Sequence, residues 1–201
     1  ACLVGSEMCI RDSVDLTAST PQAILHGLRT LQQLVSAQGI PACTIEDRPC
    51  FAYRGAMLDV SRHFFPVEEV KTYIDLLSLH KINRFHWHLT DDQGWRIEIR
   101  SYPQLTAVGS RRAQTLVGRY SSKGPNQYDG IPYGGYYTQD DIREIVRYAA
   151  ERYIEVIPEI EMPGHGLAAL ASYPWLGCTG GPYEVWTRWG ISDDVYCAGK
   201  E

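Results

Sequence analysis

The sequence lacks the features of a membrane protein, a nucleic-acid-binding protein or a small disulfide-rich protein. No apolar run approaches the roughly 18 to 20 residues that a helix needs to cross a bilayer. The formal net charge is −5 and the pI is about 5.7, so the basic face that nucleic acid or an anionic membrane would require is missing. Six cysteines are too few for a disulfide scaffold, and no Cys-x-x-Cys pair indicates a zinc or redox centre. These absences favour a neutral or cationic ligand.

Aromatic residues are plentiful, with 13 tyrosines and 5 tryptophans. Four tryptophans could wall a sugar-binding site, although most aromatic rings in a domain pack in its core. These are Trp95, Trp175, Trp186 and Trp189. The chain has 201 residues, fewer than the roughly 250 typical of a complete α/β barrel.

Three segments are distinguished along the chain. Residues 1–13 read ACLVGSEMCIRDS, match no signal peptide and resemble translated sequencing-adaptor sequence, so we interpret them as non-native. Within residues 14–50, Ser19-Thr20-Pro21 predicts the start of a helix that has a buried side and ends by Gly39. Ile40–Ile45 is a candidate strand. The polar sequence that follows predicts a domain boundary near residue 50.

Beyond that boundary, strands and helices alternate. Apolar runs predict strands at Arg54–Arg62, Ile82–Asp91 and Tyr153–Glu161, separated by two amphipathic helices. A long connection through residues 96–137, rich in Gly, Tyr and Ser, precedes the second helix and is predicted to shape a binding site. Strand–helix alternation requires parallel strands with right-handed crossovers, and ligands then lie at the carboxyl ends of the strands.

Polar residues follow each predicted strand. The guanidinium of Arg62 could hold adjacent hydroxyls or a carboxylate, or form a structural salt bridge. Asp91 could orient a substrate, or could cap a turn together with its neighbour Asp92. Glu161 and His165 flank a Pro-Gly turn, where burial could shift their titration. Because the three strand ends meet at one edge, we interpret these residues as a candidate site.

His86 and His88 place two imidazoles on the same side of the second strand. This spacing occurs in metal centres of some barrels, and it is equally compatible with two hydrogen-bonded core histidines. The two interpretations remain open at this point.

Four motifs together resemble the family 20 glycoside hydrolases, the β-N-acetylhexosaminidases. They are RGAMLDVSRHFFP, HWHLTDDQGWR, the Gly135–Thr138 run GYYT and PEIEMPGH, and the resemblance covers about residues 16–201. It implies an α/β fold in which residues 51–201 form about the first three βα units of a (β/α)₈ TIM barrel. Residues 14–50 would be the end of a small α+β domain. It also implies hydrolysis of terminal non-reducing N-acetylhexosamine with retention, using the substrate's acetamido oxygen as nucleophile and no cofactor.

The resemblance assigns roles to four residues of this chain. Arg62 would hold the sugar hydroxyls O3 and O4, while Asp91, Glu161 and His165 would line the pocket and orient or tune the catalytic acid. Many relatives carry aspartate at the position of Glu161. The family's catalytic Asp-Glu pair ends the fourth strand in a Gly-Gly-Asp-Glu-like motif that does not occur here. We therefore expect an N-terminal fragment of the catalytic domain.

Further expectations follow from the resemblance. Cys178 and Cys197 would form a disulfide, as in some relatives, which would indicate an exported, periplasmic or secreted protein. The partner would be a carbohydrate, with no nucleic acid and no membrane span. Two alternatives remain: a metal-dependent barrel hydrolase that uses His86 and His88, and a non-catalytic sugar-binding module.

Overall fold

The computed structural model describes residues 13–200. The segment interpreted as non-native, apart from Ser13, lies outside the described residues, as does Glu201. The chain divides into two compact units, Ala1–Glu46 and Asp47–Glu201.

The first unit contains helix α1, Pro21–Leu34. The predicted helix start is confirmed: the Thr20 side chain caps the helix by accepting a hydrogen bond from the Ala23 N–H at 3.1 Å. The predicted buried side is wrong, since no residue of α1 is buried and no second helix or multi-residue strand lies within residues 13–46 to cover it. The predicted strand at Ile40–Ile45 is also wrong: the segment is irregular and exposed.

The second unit is a mixed α/β structure. In chain order its elements are β1 (Gly55–Asp59), α2 (Val67–Leu79), β2 (Arg84–His88), β3 (Thr90–Asp91), β4 (Gly94–Trp95), α3 (Gln104–Ala107), β5 (Arg111–Arg112), β6 (Tyr133–Gly134), α4 (Gln139–Ala150), β7 (Glu155–Glu159) and α5 (Leu167–Ser172). A short 3₁₀ helix, Pro174–Leu176, follows α5.

The main sheet has the strand order β1-β2-β7, and both pairings are parallel. The three parallel strands predicted from the sequence are therefore confirmed, although each is shorter than predicted. The register aligns Asp59 with His88 and His88 with Glu159. Three titratable side chains consequently stand side by side where the strands end.

Helices α2 and α4 supply the hydrophobic core together with the sheet. Phe85 and Trp87 are buried in this core with residues of both helices, such as Ile74 and Ile145. Because side chains alternate along a strand, His86 and His88 belong to the opposite face of β2. Helix α4 begins with a capping box, in which Thr138 and Asp141 satisfy each other's backbone N–H groups.

The long connection from residue 96 to residue 137 contains only the short elements α3, β5 and β6. The guanidinium of Arg96, which is fully buried, ties it to the segment after β1. It donates to the carbonyls of Ser61 at 2.7 Å, Ser110 at 2.7 Å and Gly135 at 2.9 Å. Burial lowers the pKa of Arg96 to about 10.

Within residues 13–200, no helix is long and apolar enough to cross a membrane.

Candidate active site

The polar residues that follow β1, β2 and β7 meet at one edge of the sheet, as the parallel topology predicts. All four residues predicted for the site lie there, joined to neighbours that extend the cluster. The full set comprises Asp59, Arg62, His86, His88, Asp91, Gln93, Glu159, Glu161 and His165.

Arg62 is held on three sides. Its Nη1 atom lies 2.7 Å from Asp59, its Nη2 atom 2.6 Å from Asp91, and its Nε donates to the Gln93 side chain at 3.0 Å. The contacts with Asp59 and Asp91 are salt bridges, one of the two roles that the sequence analysis considered for Arg62. About a quarter of the side chain, 24%, remains exposed. The guanidinium is therefore rigidly placed and still accessible to a ligand.

Asp91 is the centre of the cluster, with a side chain only 1% exposed. One carboxylate oxygen, Oδ2, contacts both Arg62 and the His88 Nε2 atom, the latter at 2.9 Å. The other, Oδ1, accepts from the Asp92 backbone N–H at 2.7 Å and from His165 Nδ1 at 3.0 Å. A buried carboxylate needs such partners, and Asp91 has four.

His88 lies between two acidic groups. Burial alone would lower its pKa, but hydrogen bonds to Asp91 and to Glu159, the latter at 2.6 Å, raise the pKa to about 9. At neutral pH the ring is therefore an imidazolium that donates from both nitrogens. The Arg62 Nη1 atom, 3.2 Å from His88 Nε2, is then a second cation beside the same Asp91 carboxylate, rather than a donor to the ring.

Glu159 joins the two strand histidines. Its Oε2 atom lies 2.6 Å from both His86 Nε2 and His88 Nδ1. Burial would raise its pKa, but hydrogen bonds from His88 and Glu161 lower it. Burial and the adjacent Glu159 carboxylate raise the pKa of Glu161. Glu159 is therefore the ionised member of the pair, and Glu161 is the member that holds a proton more readily.

His165 approaches the cluster from the turn after β7. Its backbone is in the left-handed region, with φ of 50°, which histidine enters more often than most residues. Its Nδ1 atom hydrogen-bonds Asp91, and within residues 13–200 no partner engages its Nε2. Because Asp91 engages Nδ1, Nε2 is the ring nitrogen left for a hydrogen bond to another group.

Asp92, considered with Asp91 in the sequence, has a different role. It is fully buried and accepts hydrogen bonds from the backbone N–H groups of Leu167 at 3.1 Å and Ser192 at 3.3 Å. Burial raises its pKa, and these two bonds oppose that effect. Asp92 thus fastens the start of α5 and the segment near residue 192 to the site.

Among residues 13–200, two groups of side chains have metal-ligand composition: His88, Glu159 and Glu161 form one, and Asp91, Asp92 and His165 the other. The potential ligand atoms of each group lie within 4.8 Å of one another. His86, the other histidine considered as a ligand, belongs to neither group and hydrogen-bonds Glu159. A metal at His88 would have to displace a proton that Asp91 and Glu159 stabilise.

Arg112 was not recognised from the sequence as part of this region. It is 6% exposed, and its Nη1 atom donates to the backbone carbonyls of Arg62 at 3.0 Å and Gln93 at 3.2 Å. Its guanidinium lies 4.4 Å from the centre of the Tyr133 ring. The long connection thus helps to place Arg62, through contacts that no local sequence pattern predicts.

The four tryptophans considered for a sugar site divide into two groups. Trp95 is buried in a second hydrophobic cluster beside Leu105, which supports the core interpretation for this ring. Trp175 and Trp189 are 54% and 46% exposed, and Trp186 is half-buried.

In α/β enzymes the active site lies at the carboxyl ends of parallel strands, which is where this chain places its cations, carboxylates and imidazoles. The sequence profile "Glycosyl hydrolase family 20, catalytic domain" matches residues 51–201, and the chain belongs to that family. The resemblance drawn from the motifs is thereby confirmed, as is the assignment to the glycoside hydrolases.

Named relatives agree with this assignment. A beta-hexosaminidase of Porphyromonas gingivalis is 47% identical over 199 residues, which are 94% of this chain and 24% of that protein. A beta-hexosaminidase of Vibrio furnissii is 49% identical over 173 residues, 83% of this chain and 27% of that protein. The chain thus spans about a quarter of the length of these two relatives.

Solved structures show the same relationship. A beta-N-acetylhexosaminidase crystal structure matches with a TM-score of 0.81 and 40% identity, covering 90% of this chain and 37% of that one. Streptomyces plicatus N-acetyl-beta-hexosaminidase in complex with Thio-NAglucal matches with a TM-score of 0.74 and 45% identity, covering 89% of this chain and 35% of that one.

Proposed function

We propose that this protein is a β-N-acetylhexosaminidase that removes terminal non-reducing N-acetylhexosamine from carbohydrates with retention of configuration. The observation that carries the proposal is the chain of contacts Arg62–Asp91–His165 at the carboxyl edge of the sheet. Membership of family 20, with relatives named beta-hexosaminidase, supports the choice of substrate. The reaction is substrate-assisted: the acetamido oxygen of the sugar attacks its own anomeric carbon.

Arg62 is the proposed anchor for the sugar hydroxyls O3 and O4. Its three contacts, with Asp59, Asp91 and Gln93, fix the guanidinium before any ligand arrives. A preorganised donor loses little side-chain entropy when the sugar binds. Charge-assisted hydrogen bonds from a cation to hydroxyls are also stronger than neutral ones.

His165, Asp91 and Glu161 are proposed to position and tune the catalytic acid. Asp91 holds His165 through Nδ1, which leaves Nε2 for a hydrogen bond to the acid. Glu161 lies within 3.8 Å of His88, and its raised pKa lets it donate a hydrogen bond to a neighbouring oxygen.

The acid itself is proposed to come from outside this chain. No Asp-Glu dipeptide occurs in the sequence, whereas family 20 enzymes use such a pair to polarise the acetamido group and protonate the leaving group. We therefore propose that residues 51–201 supply about the first three βα units of a TIM barrel and the sugar-binding shell. Residues 14–50 would be the end of a small α+β domain, and the enzyme would be exported.

The test uses the full-length protein with 4-nitrophenyl N-acetyl-β-D-glucosaminide and the matching β-D-glucoside. Hydrolysis of the first only, with the β-anomer of N-acetylglucosamine appearing first in ¹H NMR spectra, is the expected result. Release of the α-anomer, or equal rates on the two glycosides, would exclude substrate assistance. Binding without turnover would indicate the sugar-binding module. A stoichiometric bound metal, whose removal abolishes activity and whose return restores it, would indicate the metal-dependent hydrolase.

A further inference from the structure

The turn between β3 and β4 is buried, which is unusual for a connection between two strands. It consists of Asp92 and Gln93, whose exposed fractions are 0% and 3%. Connections normally lie at the surface, because a buried turn has to find partners for its polar groups within the protein. Here the partners include a segment far along the chain, residues 186–192, which we call the docked loop.

The docked loop is hydrogen-bonded to this turn at three places. The Trp186 N–H donates to the Asp92 carbonyl at 3.0 Å, and the Ser192 N–H donates to the Asp92 side chain at 3.3 Å. Between them, the Arg188 carbonyl accepts from the Gln93 side-chain amide at 3.0 Å. The docked loop forms no helix or strand, so its path over the turn depends on bonds of this kind.

The oxygen of the same Gln93 amide holds Arg62. This atom, Oε1, accepts from Arg62 Nε at 3.0 Å. Because Arg62 Nε only donates and the Arg188 carbonyl only accepts, the two bonds together require a side chain with one acceptor and one donor. A neutral amide meets this requirement. An ionised carboxylate would have no donor for the docked loop, and an aliphatic side chain would have neither group.

The contact with Gln93 fixes a degree of freedom of Arg62 that its two salt bridges leave open. Asp59 and Asp91 contact the outer nitrogens Nη1 and Nη2 at 2.7 Å and 2.6 Å. Two points define an axis, about which the planar guanidinium could still tilt. The third contact, at Nε, fixes the plane of the group. The direction of the N–H groups that remain for a sugar therefore depends on Gln93.

We propose that Gln93 is a positioning residue that couples the path of the docked loop to the orientation of the Arg62 guanidinium. The inference rests on the proposed function, because it concerns the anchor for the sugar. Movement of the Arg188 carbonyl away from Gln93 would leave a buried amide donor without a partner, which is costly. The docked loop therefore stabilises the position of the Gln93 side chain that also holds Arg62.

The kinetic test measures kcat and KM of the full-length protein for 4-nitrophenyl N-acetyl-β-D-glucosaminide. Gln93→Met, which keeps the size and loses both amide groups, should lower kcat/KM by roughly 3- to 10-fold, mainly through a higher KM. In an Arg62→Ala background the same substitution should cause no further loss, because the group that Gln93 positions is absent. Gln104→Met, at an exposed glutamine that begins α3, is the matched control and should leave both constants unchanged.

Brief trypsin digestion, followed by mass spectrometry, measures the attachment of the docked loop through the rate of cleavage after Arg188. Cleavage should be faster in Gln93→Met than in the wild type or in Gln104→Met, because a loop that has lost a bond opens more often. Gln93→Glu keeps an acceptor for Arg62 and lacks the donor for the loop. It should also be cleaved faster, with a smaller loss of kcat/KM than Gln93→Met, and it carries the test if Gln93→Met does not fold.

Three results would overturn the coupling. They are a wild-type kcat/KM in Gln93→Met, an equal loss with and without the Arg62 side chain, and unchanged cleavage after Arg188 in both Gln93 variants. Failure of the wild-type protein to hydrolyse the glycoside would instead count against the proposed function.

Discussion

Replacing Asp91 by asparagine tests the centre of the site. The substitution keeps the size of the side chain and removes its charge. Asp91 is 1% exposed and lies within 3.0 Å of three side-chain donors, on Arg62, His88 and His165. The amide of asparagine keeps one acceptor oxygen and would turn its NH₂ group toward at least one of these donors.

The expected loss of stability is about 3 kcal/mol. Removing one partner of a buried ion pair typically costs about 3 to 5 kcal/mol, because the remaining charge is left uncompensated. The lower end applies because Asp59 still neutralises Arg62, and Glu159 still accepts from His88. Catalysis should fall further, by at least roughly 100-fold in kcat/KM, since Arg62 and His165 both lose the group that orients them.

Urea unfolding and steady-state kinetics of the full-length protein measure the two effects. Asp140→Asn is the control, because this carboxylate is 81% exposed and its pair with Arg143 contributes at most about 1 kcal/mol. If Asp91→Asn unfolded at the same urea concentration as Asp140→Asn and kept the wild-type kcat/KM, Asp91 would not organise the site.

Three further predictions concern other parts of the chain. Cys178 and Cys197 are free thiols in the structure and not the disulfide that the resemblance implies, but they lie in hydrogen-bonding contact. Protein purified under oxidising conditions should therefore show a disulfide between them by mass spectrometry, and two free thiols in that preparation would refute this. The raised pKa of His88 contributes stability that is complete below about pH 6.5 and is lost as the pH rises through about 9. The difference in Tm between the wild type and His88→Asn should therefore shrink between these pH values. A difference that stays constant would show that a charged His88 does not stabilise the fold. Residues 14–201 expressed alone should show no turnover of an aryl N-acetylglucosaminide, because the sequence has no Asp-Glu pair, and turnover near that of a full-length relative would show that another acid serves.

Much of the sheet and site was predictable from the sequence. Alternation of strands and helices fixes a parallel sheet, and parallel strands bring their carboxyl ends to one edge. The convergence of Arg62, Asp91 and His165 follows from that rule without any knowledge of distances. The structure adds the register, which places His88 between Asp59 and Glu159.

Other features depend on contacts that a linear pattern does not contain. The apolar residues of α1 have the spacing of a helix with one buried face, yet none of them is buried. Helical spacing of apolar residues shows that a face could pack, but it does not show whether another element covers that face. The spacing of His86 and His88 fits metal ligands, but Glu159 from a distant strand hydrogen-bonds both rings. Arg112 reaches the edge of the site from the two-residue strand β5, and Arg188 lies in an irregular segment. Tertiary packing sets the paths of both segments.

The kcat/KM of Arg62→Ala on 4-nitrophenyl N-acetyl-β-D-glucosaminide, measured in the full-length protein beside Arg143→Ala, tests the proposed function most directly. Each charge-assisted hydrogen bond lost from a sugar hydroxyl should lower kcat/KM by roughly 10- to 100-fold. The account predicts that loss for Arg62→Ala and unchanged kinetics for Arg143→Ala. Equal kcat/KM for Arg62→Ala and the wild type would contradict the assignment of this edge of the sheet as the sugar-binding site.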